Sequence, residues 1–250
     1  MPDNLGDRMK RYEQVSHHCL TRRIPVIVRV DGKAFHSFTR GCLKPFDPTL
    51  IGTFITAATD TAREMQGFRL AYHQSDEVSF LLCDYDKIET EAWFDYDLAK
   101  IISISASTMT VYFNRSYVPP SDNIPPPAMF DARAFNVPED DVANYFLWRA
   151  KDWERNSVSM YCAGFFSHKQ MHGQGRADQH EMLHSVGKNW ATDLSDRERN
   201  GTFLWREELG TIIRSDSIQP HYPDIAELVK KVLPNVRNSN DQPQPLPAQG

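Results

Sequence analysis

The sequence predicts an α+β fold, in which a ferredoxin-like βαββαβ succession forms an antiparallel sheet with helical C-terminal additions. One strand-like run precedes a long helical pattern, two more runs flank a two-residue turn, and a second long helical pattern precedes a fourth run. The runs are residues 24–28, 68–74, 78–82 and 128–135, and the helical patterns are residues 48–66 and 93–114.

The connections of this succession place two carboxylates together. A right-handed crossover makes the first two strands parallel, and the third strand returns between or beside them. Asp31 follows the first strand and Asp76 lies in the hairpin tip, so both are expected at the same edge of the sheet. Two carboxylates at one rim are what a Mg2+ site that bridges substrate phosphates requires. Gly32 beside them allows a ligand to approach the backbone closely.

Composition bounds the class of protein. The 250 residues are 40% apolar and carry a net charge of −5, which is typical of a globular protein of one large domain with or without an appendage. The four cysteines have no CxxC spacing, which argues against a disulfide framework or a cysteine zinc site and favours a reducing cytoplasm. No signal peptide or membrane-length apolar run is recognisable, so no membrane association is predicted.

We divide the chain into three parts. Residues 1–137 are predicted to be the catalytic domain, including an N-terminal helix over residues 4–17 and a stiff connector with five prolines, Pro119–Pro127. Residues 138–233 are predicted to be a mostly helical extension packed on that domain, and residues 234–250 a disordered tail. The extension's predicted elements are a helix over 138–161, a loop or short helix over 164–175, a helix with Asp178 as N-cap and Gly187 as its end, a hairpin over 202–205 and 211–214, and a helix over 224–233.

One short motif suggests different chemistry. His180–His184 reads H-E-x-x-H on a predicted helix, the pattern in which two histidines hold zinc and the glutamate acts as general base of a peptidase. A third ligand would be needed, and Glu207 or Glu208 follows at a plausible distance. Because a five-residue pattern occurs easily in a histidine-bearing helix, we keep a zinc metallopeptidase only as a remote alternative.

Several motifs in one consistent order resemble the tRNA-histidine guanylyltransferase family over residues 5–207. They are Asp31–His36, Lys44–Asp47, Ser75–Glu77, Phe130–Arg133, Tyr145–Arg149 and Arg199–Trp205. That family has a polymerase-like palm and adds nucleotides to the 5′ end of tRNA in the 3′-to-5′ direction. The resemblance therefore implies a nucleotidyltransferase with tRNA as partner, nucleoside triphosphates (GTP, ATP) as substrates and a homotetrameric assembly. A non-catalytic nucleotide-binding regulator is a third possibility.

The resemblance also implies roles for individual residues. Asp31, the Gly32 carbonyl and Asp76 would hold two Mg2+ ions, and the two aspartates would be the catalytic residues. The other residues implied at the nucleotide are Lys33, Ala34, Phe35 and His36, with Glu77 beside them and Lys44, Ser75 and Lys100 on the triphosphate. Arg133 and Asn156 would lie near further phosphates.

Two departures from the family pattern bear on the reaction. The His-Ile-Asn-Asn-Leu-Tyr-Asn block of the eukaryotic enzymes is here Glu154–Met160 and keeps only Asn156. The family's Ala-Asp-Lys-Asn-Glu is here Ala177–Glu181. Both changes resemble the bacterial and archaeal "like" proteins, which repair 5′-truncated tRNA with a template. We therefore expect templated repair, with addition of a single G to tRNA-histidine as the alternative.

Binding of tRNA by an acidic protein requires a local basic patch. Seven cations on the N-terminal helix, the long helix and the loop after it are candidates: Arg8, Lys10, Arg11, Arg149, Arg155, Lys169 and Arg176. From so sparse a set we expect about three to six phosphate contacts.

Overall fold

The computed structural model describes residues 4–119, 125–207 and 210–234. Its strands are β1 (Val26–Gly32), β2 (Phe68–Gln74), β3 (Glu77–Leu82), β4 (Phe130–Asn136), β5 (Thr202–Arg206) and β6 (Ile212–Ser215). Its α-helices are α1 (Leu5–Gln14), α2 (Phe35–Phe38), α3 (Pro48–Glu64), α4 (Leu98–Ser116), α5 (Glu139–Ala163), α6 (His168–Met171), α7 (Arg176–Ser185), α8 (Trp190–Asp193), α9 (Asp196–Asn200) and α10 (Tyr222–Val232). Short 3-10 turns cover Thr39–Gly41 and Trp93–Tyr96.

The six strands form one sheet in the order β4-β1-β3-β2-β5-β6, and every neighbouring pair is antiparallel. The predicted βαββαβ order is confirmed, with β3 between β1 and β2. The predicted late hairpin is also present, and it lengthens this same sheet because β5 pairs with β2.

The sheet lies between two helical layers that bury alternate residues of each strand. Val26, Val28 and Val30 of β1 belong to the apolar cluster under α3 and α4. Ile27 belongs to the cluster under α5 and α10. Asp31 alternates with Val30 and therefore faces the layer of α5.

The register aligns charged residues across that second face. Asp31 lies opposite Glu77 on one side and opposite Asp131 on the other. Two residues further into the sheet, Arg29 lies opposite Arg133. Directly opposite residues point to the same face, so the rim of the sheet carries a row of three carboxylates with arginines behind it.

Helix boundaries follow the capping residues, and one predicted cap is wrong. The Asp47 carboxylate accepts hydrogen bonds from the amides of Thr49 and Leu50, at 2.9 and 3.0 Å, and begins α3 as predicted. The predicted N-cap of α7, Asp178, instead lies inside the helix, because its carboxylate accepts the Gly175 amide at 2.9 Å and makes Gly175 the cap.

The predicted helix over 93–114 is divided at its start. Phe94 and Asp95 have a left-handed φ of 51°, so the helix cannot run through them. Asp97 then caps a new helix by accepting the Lys100 amide at 3.0 Å, and α4 begins at Leu98.

Two predicted segments lie outside the described residues: residues 120–124 of the proline-rich connector, and residues 235–250 of the tail. Within the described ranges, no helix is long and apolar enough to cross a membrane.

Candidate active site

A tight turn after β1 presents Asp31 at the sheet rim. A Cβ atom on Gly32 would lie 2.2 Å from the ring of Phe35, so only glycine fits where that ring packs. The Lys33 amide donates to the Met129 carbonyl at 2.8 Å, and Ala34 has a left-handed φ of 54°. The chain therefore turns sharply beside Asp31 and directs Phe35 into the core.

The β2–β3 hairpin brings Asp76 to the same rim. Ser75 has a left-handed φ of 51°, which closes the turn in two residues. The Ser75 hydroxyl donates to the Asp76 carboxylate at 3.0 Å. The Gly32 amide donates to the Asp76 carbonyl at 3.0 Å, so the two predicted metal-binding segments are joined by a backbone hydrogen bond.

The rim carries an excess of negative charge. Burial and, to a lesser degree, the neighbouring carboxylates of Asp76, Glu77 and Asp131 together raise the pKa of Asp31 from 3.8 to about 6. A carboxyl group that is half-buried among other carboxylates has its charged form disfavoured. A bound cation would reverse that effect.

Glu77 belongs to the same row but is already neutralised. Its two carboxylate oxygens accept hydrogen bonds from Nε and Nη2 of Arg149, at 2.8 and 2.9 Å, and both side chains are buried. Such a bidentate pair is the strongest ordinary arrangement for a carboxylate. The structure therefore assigns Glu77 to an ion pair with α5 and leaves Asp31 and Asp76 available for a metal.

The available donors fit Mg2+ without forming a complete cage. Among the residues that the structure describes, no group of three or more His, Cys, Asp or Glu is arranged to hold a metal ion. Mg2+ usually takes one or two carboxylates and completes its octahedron with waters and substrate phosphates. Asp31, Asp76 and the Gly32 carbonyl would be the protein's share of such a site.

A cavity of about 320 Å³ opens beside the hairpin tip. Five of the predicted residues line it: Phe35, His36, Lys44, Ser75 and Asp76. Its volume is at the lower end of the range of small-molecule sites, and its walls are mostly apolar. The structure thus places the predicted triphosphate residues Lys44 and Ser75 next to one predicted metal ligand.

Below the hairpin tip, His73 supports the turn. Its Nε2 lies 3.1 Å from the Ser75 carbonyl, and its ring stacks on Phe54. Burial lowers the pKa of His73 from 6.5 to about 4, so the neutral ring donates this hydrogen bond at neutral pH.

Other predicted nucleotide residues are placed differently. Lys33 and Ala34 are exposed in the rim turn, and Arg133 lies beside the rim, 3.5 Å from Asp131. The structure does not bring Lys100 to this site. Lys100 is in the first turn of α4, whereas Phe113, which packs on Phe35, is thirteen residues and about 20 Å along the same helix.

Three of the seven predicted RNA-facing cations are engaged in ion pairs. Arg155 pairs with Asp152, and Arg176 lies 3.0 Å from Glu154. Arg149 is buried against Glu77 and does not face outward. Lys169 and Asn156 are exposed.

The two motifs that depart from the family pattern contact each other. The Ser159 hydroxyl of α5 donates to the Gln179 side chain of α7 at 2.8 Å, and the Arg176–Glu154 pair joins the same helices. The two departures therefore belong to one helix–helix interface.

The H-E-x-x-H motif does not acquire a third ligand among the described residues. Leu183, inside the motif, packs in one cluster with Trp153 of the cavity wall. Glu207 follows β5 at the end remote from Thr202, which pairs with His73 near the hairpin tip. Glu208 lies outside the described residues.

Most of the cavity wall was not predicted from the sequence, and Gln74, Trp153 and Arg197 are among the residues missed. Gln74 directly precedes the Ser75–Asp76 turn, and that adjacency was an available signal. Trp153 and Arg197 come from α5 and α9, and their arrival at the cavity depends on packing that no local pattern reveals.

Comparison with known proteins agrees with this geometry. The family model described as Thg1, tRNAHis guanylyltransferase, matches residues 6–138. A probable tRNA(His) guanylyltransferase of Drosophila melanogaster is 29% identical over 89% of this chain and 83% of its own length. The uncharacterized protein R259 of Acanthamoeba polyphaga mimivirus is 29% identical over 65% of this chain, and the match spans 63% of that protein.

Solved structures extend the likeness to nearly the whole chain. A bacterial Thg1-like protein in complex with ATP has a TM-score of 0.87 and 38% identity over 93% of this chain and all of its own. A bacterial Thg1-like protein in complex with GTP has a TM-score of 0.77 and 36% identity over 92% of this chain and 99% of its own. The tRNA(His) guanylyltransferase of Saccharomyces cerevisiae shares the palm-like fold, with a TM-score of 0.70 and 22% identity over 85% of this chain and 96% of its own. The chain belongs to the Thg1 family, whose tRNA(His) guanylyltransferases are nucleotidyltransferases.

Proposed function

We propose that this protein is a Mg2+-dependent nucleotidyltransferase that adds nucleotides to the 5′ end of tRNA in the 3′-to-5′ direction, using a template to repair 5′-truncated tRNA. The observation that carries the proposal is the rim itself. Asp31 and Asp76 converge there through the Gly32–Asp76 hydrogen bond, beside a cavity of about 320 Å³.

Asp31, Asp76 and the Gly32 carbonyl would hold two Mg2+ ions. When bound, the ions lower the pKa of the attacking hydroxyl and neutralise the leaving pyrophosphate or AMP. The 3′-hydroxyl of the incoming nucleotide attacks an activated 5′-phosphate of the RNA, so no Ser, Cys or His nucleophile is needed. The chain's own residues position the reactants, which is most of what phosphoryl transfer asks of a protein.

The cavity would hold a nucleoside triphosphate. Its apolar walls suit a base, and Lys44 and Ser75, which line it, would contact the triphosphate. The bacterial relatives bound to ATP and to GTP support both nucleotides as ligands of this fold. The exposed Lys33, Ala34 and Arg133 lie along the open rim, where RNA would approach.

The choice of templated repair rests on the altered helix interface. In place of the eukaryotic block, α5 carries Ser159, which donates a hydrogen bond to Gln179 of α7, and Met160, which lines the cavity. The absence of that block supports a reaction directed by pairing with the opposite strand of the tRNA. Addition of a single G to tRNA-histidine, the activity named for several relatives, is the alternative.

The test is an extension assay with 5′-truncated tRNAs, labelled nucleoside triphosphates and Mg2+. For each truncation, the nucleotide opposite the missing position is changed, and the added nucleotide should change with it by Watson–Crick pairing. Full-length tRNA-histidine serves as the comparison substrate. If only G were added, and only to full-length tRNA-histidine whatever the opposing base, guanylylation would replace repair. If no tRNA were extended, the proposed activity would be wrong.

Exposed cations of α6 and α7 would help to hold the tRNA. Each neutralised phosphate contributes a slope of about −0.7 to −0.9 to the dependence of log affinity on log salt. Since Arg176 already pairs with Glu154, we expect Lys169→Ala to flatten the slope more than Arg176→Ala. Lys230→Ala on α10 is the control, and nucleotide affinity should not change in any of the three. Equal slopes for all variants would remove this surface from the RNA interface.

A further inference from the structure

Strands β1 and β4 leave part of the sheet face on the α5 side exposed. On this face the residues of the two strands lie opposite each other in three successive rows: Asp31 with Asp131, Arg29 with Arg133, and Ile27 with Phe135. Asp131 and Arg133 are exposed, and Phe135 is half-buried. From the rim inward, the face therefore presents carboxylates, then guanidinium groups, then an aromatic ring, with about 7 Å between rows.

A tryptophan of α5 borders the aromatic row. The ring of Tyr145 packs edge-on against Phe135, with centroids 5.8 Å apart, and against Trp148, with centroids 5.9 Å apart. The guanidinium carbon of Arg149 lies over the indole of Trp148, 4.6 Å from the ring centroid, and covers one face of it. Trp148 is nevertheless 55% exposed, so the other face of the indole is open to solvent.

Helix α5 reaches the cavity with one tryptophan and the β1–β4 face with another. Trp153 lines the cavity, whereas Trp148, five residues and about 7.5 Å earlier along the helix axis, does not. Between them Arg149 donates to Glu77, which lies directly opposite Asp31. The cavity and the β1–β4 face are therefore two separate surfaces that meet at the rim.

The β1–β4 face lies where the leaving group of the reaction would depart. This inference rests on the proposed function, in which a nucleotide in the cavity attacks the 5′-phosphate of the RNA at the rim. The attacking and leaving oxygens of a phosphoryl transfer are roughly in line, so the leaving group departs on the side away from the cavity. There Arg29 and Arg133 supply positive charge for a phosphate, and Trp148 supplies an open aromatic face. A pyrophosphate has no ring to stack on that face, whereas a nucleotide has one.

We propose that Trp148 and Arg133 bind the nucleotide that leaves, so that the protein accepts RNA whose 5′-phosphate carries AMP. The 3′-oxygen of the incoming nucleotide forms the new bond to the 5′-phosphorus, and its proton passes to water. The bond from that phosphorus to the oxygen of AMP breaks, and the bonding electrons leave with AMP. The base of AMP stacks on the open face of Trp148, and its phosphate lies beside Arg133.

The surroundings of Trp148 favour a base over a protein partner. A protein interface requires a contiguous apolar patch. The residues one turn to either side of Trp148 on α5, Asn144 and Lys151, are polar and exposed. A single aromatic face among polar and basic groups is instead typical of a site for one nucleotide.

The test compares two RNAs of one sequence, a 5′-truncated acceptor stem-loop that carries either AMP on its 5′-phosphate or a 5′-triphosphate. Affinity is measured by fluorescence anisotropy in EDTA, so that binding is observed without turnover. We expect Trp148→Ala to weaken binding of the adenylylated RNA about tenfold, the loss typical of one base–aromatic stack, and to leave binding of the triphosphate RNA unchanged. Trp148→Phe keeps an aromatic face and should retain most of the affinity. Arg133→Ala should weaken binding of both RNAs, because both carry a phosphate there.

Tyr222→Ala, which removes an exposed aromatic residue of α10, is the control, and urea unfolding checks that every variant is folded. If Trp148→Ala weakened binding of both RNAs equally, Trp148 would act through the packing of Arg149 and the proposal would be wrong. The proposal would also be wrong if Trp148→Ala weakened binding of neither RNA. If the wild type bound both RNAs but extended neither in Mg2+, the proposed function would fail, and the binding comparison would still decide the role of Trp148.

Discussion

Two parts of the same sheet rim treat their carboxylates in opposite ways. Under α5, Glu77 is buried and accepts hydrogen bonds from two guanidinium nitrogens, Nε and Nη2, of the buried Arg149. Next to it, Asp31 lies directly opposite Glu77 on β1 and outside that ion pair, where burial and the neighbouring carboxylates raise its pKa to about 6. A cation site can thus arise from a row of acids when a helix supplies a buried counter-ion to one carboxylate, Glu77, and none to the carboxylate beside it, Asp31.

The largest expected effect is the loss of catalytic activity when Asp31 or Asp76 is changed. Asp31→Asn or Asp76→Asn should reduce nucleotide addition by about 10³-fold or more, the loss typical of a preorganised electrostatic group at a reacting centre. Folding stability should be unchanged or slightly higher, because a repulsion among carboxylates is removed. Steady-state extension and urea unfolding are the measurements. Asp60→Asn on α3 is the matched control, and near wild-type rates for either rim variant would refute the two-metal assignment.

Changes at the Glu77–Arg149 ion pair under α5 should lower the folding stability. Arg149→Met removes both hydrogen bonds to the buried Glu77 carboxylate and leaves only Arg29 Nε, 3.8 Å away, as its counter-ion, so we expect a loss of about 3 kcal/mol in the free energy of unfolding. Combining Arg149→Met with Glu77→Gln should recover most of that loss, because the uncompensated charge is gone. Urea denaturation of the two single variants and the double variant measures the coupling. Additive losses would show that the pair does not act as a unit.

A smaller, pH-dependent effect is expected from His73, on the apolar face below the hairpin tip. Its folded-state pKa of about 4 lies below the unfolded value of about 6.5, so its contribution to stability is complete above pH 6.5. That contribution is lost as the pH falls toward 4, by up to roughly 3 kcal/mol. His73→Gln keeps a donor for the Ser75 carbonyl without the titration. Its unfolding free energy should therefore fall less between pH 6.5 and 4 than that of the wild type, and equal declines would contradict the assignment.

The smallest effect concerns Asp131, which is exposed and lies 3.5 Å from Arg133. Mg2+ must displace a proton from Asp31 below about pH 6, so the apparent affinity for Mg2+ should weaken in that range. Asp131→Asn removes one carboxylate that raises the Asp31 pKa, and the weakening should begin at a lower pH. Metal titrations at several pH values follow this shift. Movement in the opposite direction would show that Asp131 instead assists the metal.

The apolar run of β1, the two-residue turn at Ser75 and the right-handed crossover were sufficient to predict the βαββαβ succession and the shared edge of Asp31 and Asp76, but they left the third strand either between or beside the first two. The ion pair between Glu77 and Arg149 could not be predicted in this way. Glu77 follows Asp76 in the sequence, yet its partner Arg149 is 72 residues away and reaches it only because α5 crosses the sheet. The predicted N-cap of α7 was wrong for a local reason. Asp178 accepts a hydrogen bond from the Gly175 amide while it lies inside the helix, so its residue type alone did not show where the helix begins. Lys100 shows a third limit, because the sequence places it in a helix but not at a particular end of the sheet.

The two-residue hairpin tip also decides where the chain can accept insertions. An added residue between Gln74 and Glu77 would shift β3 by one position against β1, and a one-residue shift turns every side chain to the other face of the sheet. Glu77 would then leave Arg149, and the hydrogen bond from Gly32 to the Asp76 carbonyl would be broken. The exposed segment 86–89 has no strand register to preserve, and extra residues are tolerated in such loops. Length variation within this protein's lineage should accumulate there, while the hairpin tip keeps a fixed length.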